Sequence, residues 1–166
     1  MDAQPILARI AQLLDRHKLE AILIGNAAAA LQGATVTTID IDFLFQRTPS
    51  NIRKLKAIAA DLEAVILRPY YPVSPLWRIA RDRDGLQLDF MDAIHGVRSF
   101  EGLRKRSSLI RIGSVQILVA TLADIIKSKK AAGRPQDTAV LPLLEKVLEE
   151  TADHQERETR GPKESE

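Results

Sequence analysis

The sequence predicts an α+β (mixed α/β) fold: a central mixed sheet flanked by helices, with further helices at the C-terminal end. Three observations carry that prediction. Amphipathic helical segments alternate with apolar runs of strand length. Two tight-turn signals, Asp84-Gly85 and Gly113-Ser114, each separate a pair of strand-like segments. A third apolar run carries the pattern Asp40-Ile41-Asp42. In a strand, residues two apart share a face, so Asp40 and Asp42 point one way while Ile39, Ile41, Phe43 and Phe45 point the other.

The elements follow in order. Residues 5–18 form an amphipathic helix, with Ile6, Ile10, Leu13 and Leu14 at three- and four-residue spacing and Pro5 in its first turn. A buried strand follows over 19–24, broken at Gly25-Asn26. Residues 27–32 favour helix, with Gly33 placed to end it. After the acidic strand, Thr48-Pro49 caps and starts a helix whose stripe is Ile52, Leu55, Ile58, Ala59 and Leu62. A short strand over 64–67 leads to an irregular proline-bounded segment over 69–75. Residues 76–81 and 86–92 make the first hairpin, 96–106 a loop and short basic helix, and 109–112 with 115–119 the second hairpin. Thr121 and Asp124 have capping-box spacing and open a helix that Gly133 ends. Pro135 enforces a break before a last helix over 137–150, in which Pro142 kinks the path or delays its regular start.

The 166 residues make a single domain over 1–150, long enough to bury a core, followed by a polar tail over 151–166 expected to be disordered. No apolar run reaches the length of a membrane span, and no signal-peptide core is visible, so no membrane partner is expected. The chain has no cysteine, which excludes disulfides and thiolate metal sites and fits a cytoplasmic location. The net charge of +2 hides an asymmetry: from Glu149 onward seven acids face three bases, leaving +6 on residues 1–148. A basic body suits an anionic substrate such as a nucleotide or RNA, and equally an ordinary solvated surface beside an acidic tail.

Asp40 and Asp42 lie about 7 Å apart along a strand, and like charges that close repel unless a cation sits between them. That pattern suggests a metal site. Asp89 is an acid flanked by Leu88 and Phe90 in the apolar strand 86–92, on the face opposite Leu86, Leu88 and Phe90. If that strand lies beside the acidic one, three carboxylates converge, enough for two Mg²⁺ (or Mn²⁺) ions in phosphoryl transfer. Otherwise Asp89 ends a strand or accepts a turn hydrogen bond. Gly25 and Asn26 lead a strand into a helix, where backbone N–H groups can meet a phosphate, or where Asn26 serves only as the cap. Lys129 lies at the angular centre of the stripe made by Leu122, Ile125 and Ile126, so it either snorkels out or meets an anion. Arg134 and Asp137 flank the helix break, where they can pair with each other or orient Lys129. His17, His95 and His154 are scattered without metal-ligand spacing, and Trp77, Tyr70 and Tyr71 read as packing or loop anchors.

Taken together, Ile24-Gly25-Asn26, thirteen residues, Asp40-Ile41-Asp42, and then Leu88-Asp89-Phe90 resemble the signature of the nucleotidyltransferase superfamily, with its polymerase-β-like fold. The stretch from Leu122 to Asp137 is similar to one in small bacterial relatives, among them nucleotidyltransferase-like toxins of abortive-infection toxin–antitoxin systems. The resemblance spans residues 20–145. It implies that Asp40, Asp42 and Asp89 hold the metals, with Asp89 also helping to deprotonate a hydroxyl acceptor. It implies further that Gly25 and Asn26 cradle the phosphates of an NTP, and that Lys129 meets the leaving group, with Arg134 and Asp137 completing the nucleotide site. The chain departs from the pattern at Asn26, at Thr35–Thr38 and at Val140, where relatives carry a small residue, a basic residue and an acid.

Three readings follow. The first is an Mg²⁺-dependent transferase that moves an NMP to an RNA, protein or small-molecule acceptor, in the toxin case with an antitoxin partner. The second is a non-catalytic nucleotide- or partner-binding module, favoured by Asn26 and Val140. The third is an RNA-binding protein using Arg104-Lys105-Arg106 and the basic residues of 127–134, with strong salt dependence and no need of Mg²⁺.

Overall fold

A computed structural model describes residues 3–36 and 40–161. The expectations for Ile39, for the threonines at 37 and 38 and for residues 162–166 lie outside those residues. Helix α1 (Ala3–His17) buries Leu7, Ile10, Leu13 and Leu14, as its apolar spacing requires. Strand β1 (Ala21–Ile24) is buried at all four positions and runs straight into α2 (Gly25–Leu31). Strand β2 (Ile41–Phe45) follows, then α3 (Pro49–Asp61), where the Thr48 hydroxyl accepts from the Asn51 N–H at 3.0 Å. Strand β3 (Val65–Leu67) precedes the hairpin β4 (Leu76–Arg81) and β5 (Leu86–Met91). After α4 (Phe100–Arg106) come the second hairpin, β6 (Ser108–Ile112) and β7 (Val115–Val119), and then α5 (Leu122–Ala132) and α6 (Pro135–Arg160).

The seven strands form one mixed sheet in the order β3-β4-β5-β2-β1-β7-β6. Pairing is antiparallel except at β1–β7 and β2–β5, which are parallel. This is the mixed sheet with flanking helices that the alternation of elements predicts. Phe43, Phe45, Phe90, Ile22, Leu23 and Leu88 are fully buried in its centre. Phe43 stacks on Phe90 at 5.0 Å between ring centroids, and Phe45 meets Phe90 edge-on. Helix α1 packs on α3, with His17 bonded to Asp61 at 2.7 Å, while α5 packs on both α2 and α6.

Two side-chain devices fix α5 against the sheet. Gln32 donates to the carbonyl oxygens of Ala28 and Ala120 and accepts from the Leu122 N–H, tying α2 to the turn that starts α5. Thr121 caps α5 by accepting from the Asp124 N–H, and the expected left-handed glycine, Gly133, closes it at φ 65°.

Three expectations need correction. Asp40 lies just before β2 rather than inside it. The last helix begins at Pro135 rather than at 137, with Pro135 in the first turn where its missing N–H costs nothing, and Pro142 does not delay its start. The tail expected to be disordered from residue 151 is instead helical as far as Arg160. The physical reason is local: 151–160 holds good helix formers and no breaker before Gly161, and His154 pairs with Glu158 at i,i+4. Pro142 is tolerated inside α6 because it and Thr138 are both exposed, so solvent can satisfy the orphaned carbonyl.

Since Thr121 sets where α5 begins, Thr121→Ala is expected to lower the unfolding free energy by about 1 kcal/mol. Urea denaturation, read as a midpoint shift at constant slope, checks this.

Candidate active site

The register of the sheet places three charged residues in one row across three strands. Asp42 on β2 lies opposite Asp89 on β5, and Asp89 lies opposite Arg78 on β4. The next row, Phe43, Phe90 and Trp77, faces the other side and belongs to the apolar interior. The parallel pairing of β2 with β5 therefore does what the sequence could only pose as a condition: it brings Asp89 beside the acid pair. Gln87, on the same face as Asp89, donates to Asp40 at 3.4 Å.

At the end of β1 the chain turns at Gly25 with φ +67°, and a Cβ at this position would stand 3.1 Å from Asp42 Oδ2. Glycine here serves both the backbone angle and the close approach of the Asp42 carboxylate. Asn26 is not the helix cap, because α2 begins at Gly25 with Ile24 as its N-cap and no side-chain bond there. The Asn26 Oδ1 is buried and has no hydrogen-bond partner among the described residues.

The cationic residues come from the α5–α6 joint. Lys129 does face inward, as its helical angle predicts, with a side chain 12% exposed. It donates to Asp137 Oδ1 at 3.3 Å, while Arg134 Nε donates to Asp137 Oδ2 at 2.6 Å. Asp137 is 2% exposed and joins the two cations across the break between the helices. Val140 packs against the apolar core. Loop 92–98 closes the other wall: Gly96, at φ +74°, lies so close to α5 that a Cβ would come 3.0 Å from the Lys127 carbonyl oxygen.

These residues line one cavity of about 570 Å³. Gly25, Asn26, Asp40, Asp42, Asp89 and Arg78 lie on its sheet side, and Ser128, Lys129, Arg134 and Asp137 on its helix side. Every site residue predicted from the sequence is thus in this cleft. Tyr70, Tyr71 and Trp77 are not among its walls; Arg68 stacks on Trp77 at 3.7 Å and on Tyr71 at 5.0 Å. His95 stands at the rim.

Burial, and then the charges of Asp89 and Asp40, push the Asp42 carboxyl up to about 7, and Lys129 and Arg134 offset only part of this. Asp137 goes the other way. Burial alone would raise it, but the hydrogen bond and charge of Arg134, with Lys129, hold its carboxyl below the usual range. The cleft therefore has a carboxylate end, where burial and like charges raise Asp42, and a cationic end, where two cations share one acid.

A divalent cation fits the first end. Asp40 and Asp42 supply hard oxygen donors, and a cation would offset both the burial and the like charges that raise Asp42. Asp89 is differently placed. Arg78 grips it with Nε on Oδ1 at 2.8 Å and Nη2 on Oδ2 at 3.1 Å. Among the described residues no three acids or histidines are arranged to hold a metal ion together. Arg78 is the residue that the sequence reading missed. The signal was present, because counting back from the Asp84-Gly85 turn pairs position 78 with position 89.

A mixed sheet with a glycine corner after its first strand and an acid pair entering the second is the architecture of nucleotidyltransferases. The fold is shared with the antibiotic-resistance factor ANT(2'')-Ia (18% identity, 96% of each chain covered, TM-score 0.61). It is shared also with the lincosamide antibiotic adenylyltransferase LnuA (13% identity, 89% of this chain and 98% of that one, TM-score 0.62). A third likeness is to a nucleotidyltransferase-like structure from Thermotoga maritima (20% identity, 88% and 92% covered, TM-score 0.57). Residues 4–153 match the family described as nucleotidyltransferase of unknown function (DUF6036), and the chain belongs to that family. It is thereby an enzyme of the nucleotidyltransferase class. No curated protein matches the sequence. No helix among the described residues is long and apolar enough to cross a membrane.

Two outcomes follow for the metal-free protein. Gly25→Ala forces a left-handed residue with a Cβ against Asp42, and is expected to cost about 1–2 kcal/mol in the backbone alone. Thermal denaturation reads it. The second concerns pH. Asp42 has a folded value of about 7 against an ordinary 3.8, so its ionisation opposes folding as pH rises between those values. Asp42→Asn should leave stability nearly unchanged at pH 3.5 and raise it relative to wild type at pH 8; equal stability differences at both pH values would contradict this.

Proposed function

We propose that this chain moves an NMP group from an NTP to a hydroxyl acceptor in a reaction that needs Mg²⁺ or Mn²⁺. The observation that carries the reading is the division of one cleft into a carboxylate end and a cationic end. A metal–triphosphate is the ligand class whose charges match both.

In this reading Asp40 and Asp42 hold the metal, which when bound offsets charge on the phosphate oxygens. The absence of a Cβ at Gly25 lets the triphosphate approach the backbone beside Asp42. Asn26 offers an amide that can turn either its oxygen or its NH₂ group to a ligand. Lys129 and Arg134 neutralise the leaving pyrophosphate, and Asp137 keeps both cations at the joint. The acceptor oxygen attacks the α-phosphorus, the bond to the pyrophosphate oxygen breaks, and that oxygen keeps the electron pair. The hydroxyl proton goes to Asp89, whose oxygens retain lone pairs beyond those engaged by Arg78.

For the acceptor, a small hydroxylated molecule is the reading we favour. The chain covers nearly the whole length of two proteins of the same fold that act on small antibiotics, one with adenylyl-2''-tobramycin bound and one with lincomycin bound. A chain of this size needs no separate acceptor domain for such a substrate. An RNA or protein acceptor, with an antitoxin partner in a toxin–antitoxin pair, is the alternative.

The test is thermal shift and calorimetry with each NTP, with and without Mg²⁺. The preferred NTP at a hundred-fold excess over Kd should stabilise the fold by about 2.7 kcal/mol, only with Mg²⁺, and not in Asp42→Ala. No shift with any NTP in a folded sample would sink the reading. A labelled NTP then sorts acceptors: label entering a small-molecule pool supports the favoured one, and label entering RNA or protein supports the alternative. Lys129→Ala should weaken NTP binding about ten-fold, equal to 1.4 kcal/mol.

A further inference from the structure

Arg78 is fixed at Asp89 by the fold and not by chance contact of two long side chains. The β4–β5 hairpin pairs the two residues directly across the ladder. The guanidinium uses two of its donors on the two carboxylate oxygens, at 2.8 and 3.1 Å, and Asp89 is 7% exposed. Arg78 and Asp89 both line the cleft. Nothing else among the described residues supplies a third acid or histidine that could join Asp40 and Asp42 around an ion.

The charges lead to the same place. Three carboxylates and one guanidinium carry a formal −2, which one divalent ion neutralises. Without Arg78 the same set carries −3, and one divalent ion leaves −1. A second ion on Asp89 would have to share that carboxylate with the Arg78 guanidinium, setting one positive charge against another.

We propose that Arg78 takes the place beside Asp89 that a second divalent cation would need, so that the site holds one divalent ion on Asp40 and Asp42 and uses the Arg78 guanidinium as its second, built-in cation. This rests on the metal-dependent reading above and replaces the expectation that Asp89 is a metal ligand. Arg78 is then a positioning residue: it holds Asp89 toward the acceptor and limits the number of metal ions.

Counting Mn²⁺ bound to the full chain, by electron paramagnetic resonance with α,β-methylene-ATP present, tests the inference. Wild type is expected to bind one ion per chain, and Asp89→Asn also one. Arg78→Ala frees both Asp89 oxygens and is expected to gain a second ion, which Arg78→Ala/Asp89→Asn loses again. A gain of binding cannot come from misfolding, and Arg78→Gln provides a variant of similar bulk should the alanine form be unstable. Two ions in wild type falling to one in Asp89→Asn would overturn the inference and leave the transferase reading standing. One ion in Arg78→Ala and Arg78→Gln would overturn it as well. No ion in wild type, with the analogue present, would overturn the inference and the metal-dependent reading together.

Discussion

Everything in this site answers one constraint: the parallel pairing of β2 with β5 sets Asp42 directly beside Asp89. Neighbouring strands stand about 4.8 Å apart, so two like charges are held in contact distance by backbone hydrogen bonds that they cannot relax. The opposite face shows why the register does not slip. A shift by one residue would turn Phe43 and Phe90 into the cleft and the two acids into the core, and the stacked rings are fully buried. Packing on one face thus enforces repulsion on the other. The raised Asp42 carboxyl owes most to its burial and then to the charges of Asp89 and Asp40.

Two different solutions to the repulsion coexist. Beside Asp89 it is internal and permanent, since Arg78 comes from the next strand of the same hairpin. Beside Asp42, among the described residues, the offsetting charges are those of Lys129 and Arg134, which both bond Asp137. The sheet alone therefore leaves one end of the cleft in need of a cation. The α5–α6 joint is positioned to meet an anion, and it stays in register with the sheet through Gln32 and through the tight seat of Gly96 on α5. A ligand that carries both signs of charge, such as a metal–triphosphate, is better matched to this arrangement than a plain anion or a plain cation.

Much of this was legible in the sequence, and the exceptions have physical causes. Period two in β2 and β5 put the acids on the face away from the phenylalanines, and period 3.6 in α5 put Lys129 inward; both hold because burial of an apolar stripe decides side-chain direction. Glycine and threonine marked the ends of α5 for reasons of backbone angle and capping. Strand order was not legible, because which strands become neighbours depends on contacts far apart in the chain. Arg78 was hidden by abundance, as one arginine among many, until the hairpin register singled it out. The end of α6 was misread because low hydrophobicity was taken for disorder. Polarity removes the reason to pack, but it does not remove the helix propensity of the residues from 151 to 160.

Two of the three departures from the superfamily pattern weigh differently once placed in three dimensions. Val140 sits in the apolar packing around α6, so the acid it replaces would have had to be buried there; the cationic end instead depends on Asp137 alone to hold Lys129 and Arg134. Asn26 is the opposite case. Its buried Oδ1 meets no partner among the described residues, and an unmet buried acceptor costs about 1–3 kcal/mol. A small apolar residue would fill the start of α2 without that cost. An unsatisfied amide at a cleft wall, one residue from the glycine against which Asp42 lies, is destabilising to the fold and useful to a ligand. On that ground a binding role is the reading we propose for Asn26, whereas Val140 packs.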